Sequence, residues 1–166
     1  MTPAQAARGK DLVVVTFPLK NISALPKDLL AGARETVVVD TSNYYPRQRD
    51  GCIEPIEAGT PESQWVADQL GHSVVKAFNN IYAQHLLEKG MSPAKPGRIA
   101  LPVAGDDPAK QSVMRLIDGL GFDPVDAGTI ADSWHQQPGT PVYGTDHDAA
   151  GVPRALAEAK LERTPE

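Results

Sequence analysis

Five short apolar runs alternate along the chain with segments that have helical spacing. The apolar runs are rich in valine and isoleucine and predict buried β-strands at residues 11–18, 35–43, 73–78, 97–107 and 122–129. Between them, apolar residues recur every three or four positions and predict helices or helix-like connections at residues 21–32, 60–71, 81–90 and 108–121. This alternation predicts an α/β fold with a mostly parallel sheet of about five strands and helices on both faces.

The residues that follow the predicted strands are the first candidates for a ligand site, because an open parallel sheet binds its ligands beyond the carboxyl ends of its strands. These ends are Thr16-Phe17-Pro18, Thr41-Ser42-Asn43, Ala77-Phe78-Asn79 and Ala104-Gly105-Asp106. The third strand runs directly into Asn79 and Asn80. These asparagines can cap the next helix, contact a ligand, or do both, and the sequence leaves the alternatives open.

Three further polar residues near the strand ends have both a structural and a functional interpretation. Asn43 can form a local turn through its own side chain or contact a ligand. Asp40 is expected to anchor a loop at the end of the second strand. Lys76 follows an apolar run and is expected to pair with a carboxylate in preference to binding a phosphate.

The start of the helix at residues 60–71 carries a capping signal. Thr60 is expected to be the N-cap and Pro61 the first helical residue, while Gln64 is expected to reach back toward the cap. Nearer the C-terminus, the segment at residues 131–146 contains Trp134, Tyr143 and two prolines. It is expected to contact a second subunit, to cover the ligand crevice, or to pack within the chain.

The composition and net charge of the chain argue against several classes of function. A chain of 166 residues fits one domain, which we place at residues 1–153 and expect to be followed by a C-terminal helix or tail at 154–166. The net charge of −5, without a run of lysine or arginine, argues against nucleic-acid and anionic-membrane surfaces. No apolar segment approaches the roughly 20 residues of a membrane helix, so a cytoplasmic protein is expected.

The sequence does not predict a metal site or a nucleophilic catalyst. The four histidines are not spaced as metal ligands, and the single cysteine, Cys52, cannot form an internal disulfide. No serine lies in the context of a nucleophile elbow. The glycine-rich phosphate loop of a dinucleotide site is not found either: Gly119-Leu120-Gly121 follows a helix, and Pro124 occupies the position of the third glycine.

Five segments resemble a known family when they are taken together in order. They are DLVVVTFPLKN, VVVDTSNYYPRQRDG, VVKAFNNIYAQHL, RIALPVAGDD and GFDPVDAGTIADSWHQQPGTPVYGTD. This set resembles the NADP-dependent, coenzyme F-420-dependent oxidoreductases (NADPH:F-420 reductase-like proteins) over about residues 2–155. The resemblance implies a Rossmann-like three-layer domain that is N-terminally truncated, since the glycine-rich βαβ unit of that family has no counterpart in this sequence.

The resemblance also implies a function and its site. Hydride would pass between NADPH and a deazaflavin (F-420) or flavin-like acceptor, the small-molecule redox substrate. A homodimer is expected on separate grounds, from the aromatic and proline-rich segment at residues 131–146 and the uncovered edge of the first strand. The cofactor-binding residues implied in this sequence are Thr16, Phe17, Pro18, Asn43, Ala77, Phe78 and Asn79. No catalytic side chain is implied, because the cofactor carries the chemistry. The alternative is a truncated, non-catalytic relative that acts as a dimeric interaction or ligand-binding domain.

Overall fold

A computed structural model describes residues 2–93 and 95–160 of the chain. Its strands are β1 (Leu12–Val15), β2 (Val37–Asp40), β3 (Val75–Lys76), β4 (Ala100–Val103) and β5 (Asp123–Asp126). Its helices are α1 (Pro3–Ala7), α2 (Glu54–Glu57), α3 (Glu62–Leu70), α4 (Ala83–Glu88), α5 (Ala109–Gly119) and α6 (Gly151–Ala157). Two 3-10 helices span Leu19–Ala24 and Ile130–Gln136, and a π-helical turn spans Pro46–Asp50.

The strands form two parallel groups, which confirms the predicted fold class. Strands β1, β2 and β3 pair in that order, with Val15 beside Asp40 and Asp40 beside Lys76. Strands β4 and β5 form a separate parallel pair. The two groups meet where Lys76 and Ala104 exchange backbone hydrogen bonds of 2.8 and 3.1 Å in an antiparallel bridge. The carboxyl ends of β1, β2 and β3 therefore lie along one edge.

Side chains of β2 divide between two hydrophobic cores, one on each face of the sheet. Val38 packs in a core with Trp65 and Val66 of α3. Val39 packs in a second core with Val113 and Ile117 of α5. Neighbouring residues of a strand point to opposite faces, so this division places α3 and α5 on opposite sides of the sheet. The result is the three-layer arrangement that the alternating pattern predicts.

The predicted connection at residues 21–32 is not an α-helix. A 3-10 helix spans Leu19–Ala24 and is followed by turns. Pro26 supplies the reason, because a proline has no backbone N–H to continue a helix and disfavours helical geometry in the residue before it.

The predicted cap of α3 is wrong. The N-cap position is Pro61, and no side chain caps the helix. Thr60 is held by the preceding turn instead, since its N–H donates to the carbonyl of Pro55 at 3.0 Å. Gln64 donates to Asp68 at 2.9 Å along the helix rather than reaching back toward the cap. At the other end of α3, Gly71 has a φ of 61°, which confirms the helix stop expected there.

The C-terminal part of the described chain packs onto β4. Val142, Val152 and Ala155 form a small core with Ala100, so the segment at residues 131–146 packs within the chain. The predicted boundary between a domain at residues 1–153 and a C-terminal helix or tail at 154–166 stays a prediction. Residues 161–166 of that predicted tail lie outside the described residues. Within residues 2–93 and 95–160, none of the helices has the length and apolarity to cross a membrane.

Candidate functional site

The ends of three strands lie side by side and bring the predicted site residues to one edge of the sheet. The backbone N–H of Thr41 donates to the carbonyl of Val15 at 3.1 Å, so the chain after β2 continues beside the chain after β1. The N–H of Ala77 donates to the carbonyl of Asp40 at 3.2 Å and aligns the end of β3 in the same way. Parallel pairing of the strands therefore brings residues that are far apart in sequence to the same edge of the sheet.

Asn79 is the centre of a network of side-chain amides. Its Nδ2 donates to Oδ1 of Asn43 at 3.1 Å and to the carbonyl of Gln136 at 2.7 Å. Its Oδ1 accepts from Nε2 of Gln136 at 2.9 Å. The network is closed by Nδ2 of Asn43, which donates to the carbonyl of Asn79 at 3.0 Å. The side chain of Asn43 is thus held in one orientation by its neighbour.

The helix-cap interpretation of the two asparagines is wrong. Helix α4 begins at Ala83, and its N-cap position is Tyr82, which makes no side-chain cap. Asn79 instead uses its amide to join Asn43 to Gln136, a residue 57 positions away. Sequence reasoning missed Gln136, because its amide partner is distant in sequence and no local spacing points to it.

The predicted site residues divide between surface and interior. Thr16 and Phe17 are exposed, and the Phe17 side chain retains 38% of its accessible area. Pro18, Asn43 and Phe78 are half-buried. The remaining two residues, Ala77 and Asn79, are buried beneath them.

Phe78 has an unusual backbone conformation for a residue with a side chain. Its φ is +62°, and it is the one non-glycine residue with positive φ in the described part of the chain. This left-handed conformation costs about 1–2 kcal/mol relative to the right-handed one. Strain of this kind persists where the surrounding structure holds it, and functional sites are where it concentrates. It directs the chain sharply away from β3 at the edge where the candidate ligand residues lie.

A buried ion pair lies under this edge. Nζ of Lys76 is 3.3 Å from Oδ2 of Asp40, and both side chains are fully buried. Oδ2 of Asp40 also accepts from the Ser63 hydroxyl at 2.6 Å, and its Oδ1 accepts from the N–H of Ser42 at 2.9 Å. Lys76 donates a further hydrogen bond to the carbonyl of Ser42. The predicted pairing of Lys76 and the anchoring role of Asp40 are both confirmed.

Several buried polar atoms near the strand ends have no hydrogen-bond partner among the described residues. They are Oγ of Ser42, both amide atoms of Asn80, Oγ of Ser133 and Oε1 of Gln136. An unpaired buried polar group costs about 1–3 kcal/mol. This group of unpaired buried atoms indicates hydrogen-bond partners from outside the chain, either ordered water or a polar group of a ligand. The buried serines gave no sequence signal that would have set them apart from surface serines.

The segment after Asn43 adds charge to the border of the site. The guanidinium of Arg49 donates to the carbonyl of Asn43 and forms an ion pair of 2.9 Å with Asp50. Burial of Asp50 opposes its ionisation, but hydrogen bonds from Arg49 and from the N–H of Tyr45 outweigh burial and hold the pKa of Asp50 below its usual range. Within residues 2–93 and 95–160, no group of three or more potential ligand side chains is placed to hold a metal ion.

Comparison with known proteins finds one curated relative that matches part of the chain. No protein-family model matches the chain. Over 65 residues it is 54% identical to the protein YjhV of Escherichia coli K12, a match that covers 39% of this chain and 47% of YjhV. The chain thus spans about half the length of this curated relative.

Solved structures resemble most of the chain. A hypothetical protein, SMa0349 of Sinorhizobium meliloti, is 28% identical with a TM-score of 0.67, over 87% of this chain and 69% of that one. A candidate F420-dependent NADP reductase of Arthrobacter sp. FB24 is 24% identical with a TM-score of 0.62, over 81% of this chain and 62% of that one. An imine reductase of Myxococcus stipitatus in complex with NAD+ is 16% identical with a TM-score of 0.52, over 81% and 40% of the two chains. The chain therefore has a Rossmann-like α/β fold.

Proposed function

We propose that the chain supplies the nicotinamide-binding part of an NADP-dependent oxidoreductase, which passes hydride between NADPH and a deazaflavin (F-420) or flavin-like acceptor. The observation that carries the proposal is the amide network of Asn43, Asn79 and Gln136 at the carboxyl edge of the parallel strands. This edge is where sheets of this kind bind their ligands. The fold that the chain shares with the Arthrobacter candidate F420-dependent NADP reductase and with the NAD+-bound Myxococcus imine reductase supports the proposal.

The residues at the edge fit the nicotinamide end of such a cofactor. A nicotinamide offers a flat ring and a carboxamide, which both donates and accepts hydrogen bonds. The edge offers exposed apolar surface at Phe17 and the half-buried side chain of Asn43, near buried polar atoms that lack partners among the described residues. No glycine-rich loop for the pyrophosphate occurs in the sequence, so the fit concerns the nicotinamide end only.

Each predicted site residue has a distinct part in the proposal. Thr16, Phe17 and Pro18 line the cofactor, and Asn43 binds near the nicotinamide ribose. Phe78 approaches the ring and the second substrate, while the buried Ala77 and Asn79 hold the contacting residues in place. The bound cofactor supplies the hydride. The chain's own residues orient the two reactants and exclude water, which is how a site without a catalytic acid or base accelerates hydride transfer.

Replacing Phe17 by alanine tests this proposal at an exposed position. We expect the dissociation constant for NADPH to rise about tenfold, because an exposed aromatic ring that a ligand covers contributes about 1–2 kcal/mol. The free energy of unfolding should fall by no more than about 1–2 kcal/mol, since Phe17 keeps 38% of its accessible area in the folded chain. Leu87→Ala is the matched control, because Leu87 lies on α4 and is 83% exposed. Fluorescence titration with NADPH measures both variants.

Activity tests the proposed acceptor separately from the proposed cofactor. Anaerobic oxidation of NADPH is followed with oxidised F-420 and, in parallel, with FMN. Turnover with either acceptor that falls in Phe17→Ala but not in Leu87→Ala supports the proposal. Equal effects of the two substitutions on binding and turnover would contradict the assignment of this edge.

We also propose that the protein is a homodimer paired through the free edge of β1. Strand β2 pairs with one edge of β1, and within the described residues no strand pairs with the other. Val14 on this strand is 47% exposed. An open apolar strand edge is a template for pairing with another chain.

A charge introduced on β1 tests this dimer. Val14→Lys should shift the protein from dimer to monomer in light scattering, because lysine on an edge strand opposes edge-to-edge pairing. Leu87→Lys, which places the same charge on exposed α4, should leave the dimer intact. A dimer that survives Val14→Lys, or a monomeric wild-type protein, would refute the proposed interface.

A further inference from the structure

The loops that follow β1 and β2 carry a net positive charge in an otherwise acidic chain. Residues 16–20 and 43–51 contain four ionised side chains, three of them positive and exposed and one negative and buried. They are Lys20, Arg47, Arg49 and Asp50. Three positive charges and one negative charge give these loops a net charge of +2, whereas the whole chain has a net charge of −5. A positive potential at the strand ends favours a ligand that carries negative charge.

Asp50 joins the two loops from beneath. Its Oδ1 accepts from the N–H of Lys20 at 3.3 Å, and its Oδ2 accepts from the N–H of Tyr45 at 2.8 Å. The side chain of Asp50 has 0% of its area accessible. Its carboxylate is therefore used inside the protein to hold the loops together, while the ionised side chains on the surface of both loops are all positive.

The guanidinium of Arg49 is held in one orientation by three neighbours. Its Nε and Nη2 lie 2.9–3.2 Å from the carboxylate oxygens of Asp50, and Nη2 also donates to the carbonyl of Asn43. The guanidinium carbon lies over the ring of Tyr45, 5.1 Å from its centroid. A cation that is already fixed in place loses little side-chain freedom when it binds a ligand.

One nitrogen of this guanidinium is left for a ligand. Nη1 carries two N–H groups and makes no hydrogen bond within the described residues, whereas Nε and Nη2 both have acceptors. The Arg49 side chain retains 36% of its accessible area. Arginine donates charge-assisted hydrogen bonds to oxyanions, and phosphate is one of the groups that its geometry matches best. The structure thus presents an oriented donor for an anionic oxygen.

Asn43 connects Arg49 to the candidate nicotinamide site. Its carbonyl accepts from Arg49, and its side chain is hydrogen-bonded to Asn79 in the amide network. In the proposed function Asn43 binds near the nicotinamide ribose, and the 5′ oxygen of that ribose carries a phosphate in every nicotinamide nucleotide. A glycine-rich loop normally holds the phosphates of such a cofactor, and the sequence contains no such loop. A cation beside Asn43 is placed to make this contact instead.

We infer that Arg49 binds the phosphate attached to the nicotinamide ribose, so that the loop after β2 recognises the charged part of the ligand. Lys20 and Arg47 add positive potential around this contact. The inference rests on the proposed function and adds to it the residue that recognises the phosphate.

Two ligands that differ by this single phosphate test the inference on the full 166-residue chain. They are reduced nicotinamide mononucleotide and reduced nicotinamide riboside, and calorimetry measures both dissociation constants. We expect the mononucleotide to bind the wild-type protein about tenfold more tightly at low salt, which is the contribution of one charge-assisted hydrogen bond. This ratio of dissociation constants should fall at high salt, because salt screens exposed charges.

Arg49→Gln should reduce the ratio to about two or less, because the phosphate loses its donor. Asp50 keeps the N–H donors of Lys20 and Tyr45 in this variant, so the two loops stay joined. The ratio compares two ligands on the same protein, and a general effect of the substitution on folding therefore cancels.

Arg115→Gln is the matched control, since it removes the same charged group from α5. The core beneath α5 lies on the opposite face of the sheet from the core that contains Tyr44, so Arg115 is remote from the loop of Arg49. This substitution should leave the ratio unchanged.

The outcomes separate the inference from the proposed function. Equal binding of the two ligands by the wild-type protein would overturn the inference while leaving a nicotinamide site in place. So would a ratio that survives Arg49→Gln, or one that Arg115→Gln lowers to the same extent. Failure of the wild-type protein to bind the mononucleotide, the riboside and NADPH up to about 10 mM would overturn the proposed function, and the inference with it.

Discussion

Lys76→Met should lower the free energy of unfolding by about 3–5 kcal/mol, the loss typical of one partner removed from a buried ion pair. The substitution keeps most of the apolar volume of the side chain. It leaves the Asp40 carboxylate fully buried without its cation, 3.3 Å away in the folded chain. The carbonyl of Ser42 loses a donor at the same time. Urea unfolding followed by circular dichroism measures the change.

Two further variants separate the buried pair from a general effect of losing a lysine. Lys89→Met removes a cation from a surface pair, in which Lys89 is 46% and Asp146 29% exposed, and should cost no more than about 1 kcal/mol. Asp40→Asn combined with Lys76→Met removes both charges and should recover part of the loss, because the amide oxygen can still accept from the N–H of Ser42 while the amide N–H donates to the Ser63 hydroxyl. A loss below about 1 kcal/mol for Lys76→Met alone would show that the pair does not support the strand ends.

Gly121→Ala should cost about 2–4 kcal/mol, because two independent penalties fall on one position. Gly121 has a φ of +95°, where a side chain is strained. A Cβ at this position would lie 2.6 Å from the backbone nitrogen of Met91 and 2.9 Å from Gly90, which is closer than real Cβ atoms approach. The N–H of Met91 donates to the carbonyl of Gly121 at 2.9 Å, so neither backbone can move without losing this contact.

The same substitution two residues earlier provides the control. Gly119 ends α5, has no positive φ, and would place a Cβ in open space. Gly119→Ala should therefore raise the free energy of unfolding by about 0.5–1 kcal/mol through the better helix propensity of alanine. Guanidinium unfolding of both variants should give changes of opposite sign. Similar changes at both positions would contradict the close contact between Gly121 and the segment after α4.

Features that depend on local pattern were predictable from the sequence. The runs that contain Val13, Val38 and Val75 became parallel strands, since continuous β-branched residues have few other stable environments. The need of Lys76 for a carboxylate followed from its place in an apolar run, because a buried charge is rare without a partner.

Features that depend on distant contacts were not predictable. Asn79 lies between a strand and a helical pattern, which is also where a helix cap is expected. Its side-chain amide instead forms hydrogen bonds with Gln136, which is 57 residues away in sequence. Thr60 had the right spacing for a cap, but Pro61 takes the N-cap position and Thr60 belongs to the preceding turn, in which its N–H donates to the carbonyl of Pro55. A tertiary contact thus overrode the local signal at Asn79, and a competing local turn did so at Thr60.

The most direct test of the account is a calorimetric titration of the 166-residue chain with NADPH at low salt, with NADH for comparison. The account predicts micromolar binding with NADPH preferred, which would mean that the strand-end residues, or a partner subunit, replace the glycine-rich phosphate loop. Absence of binding up to about 1 mM NADPH would contradict it. That result would favour the alternative, an interaction or ligand-binding domain with a Rossmann-like fold.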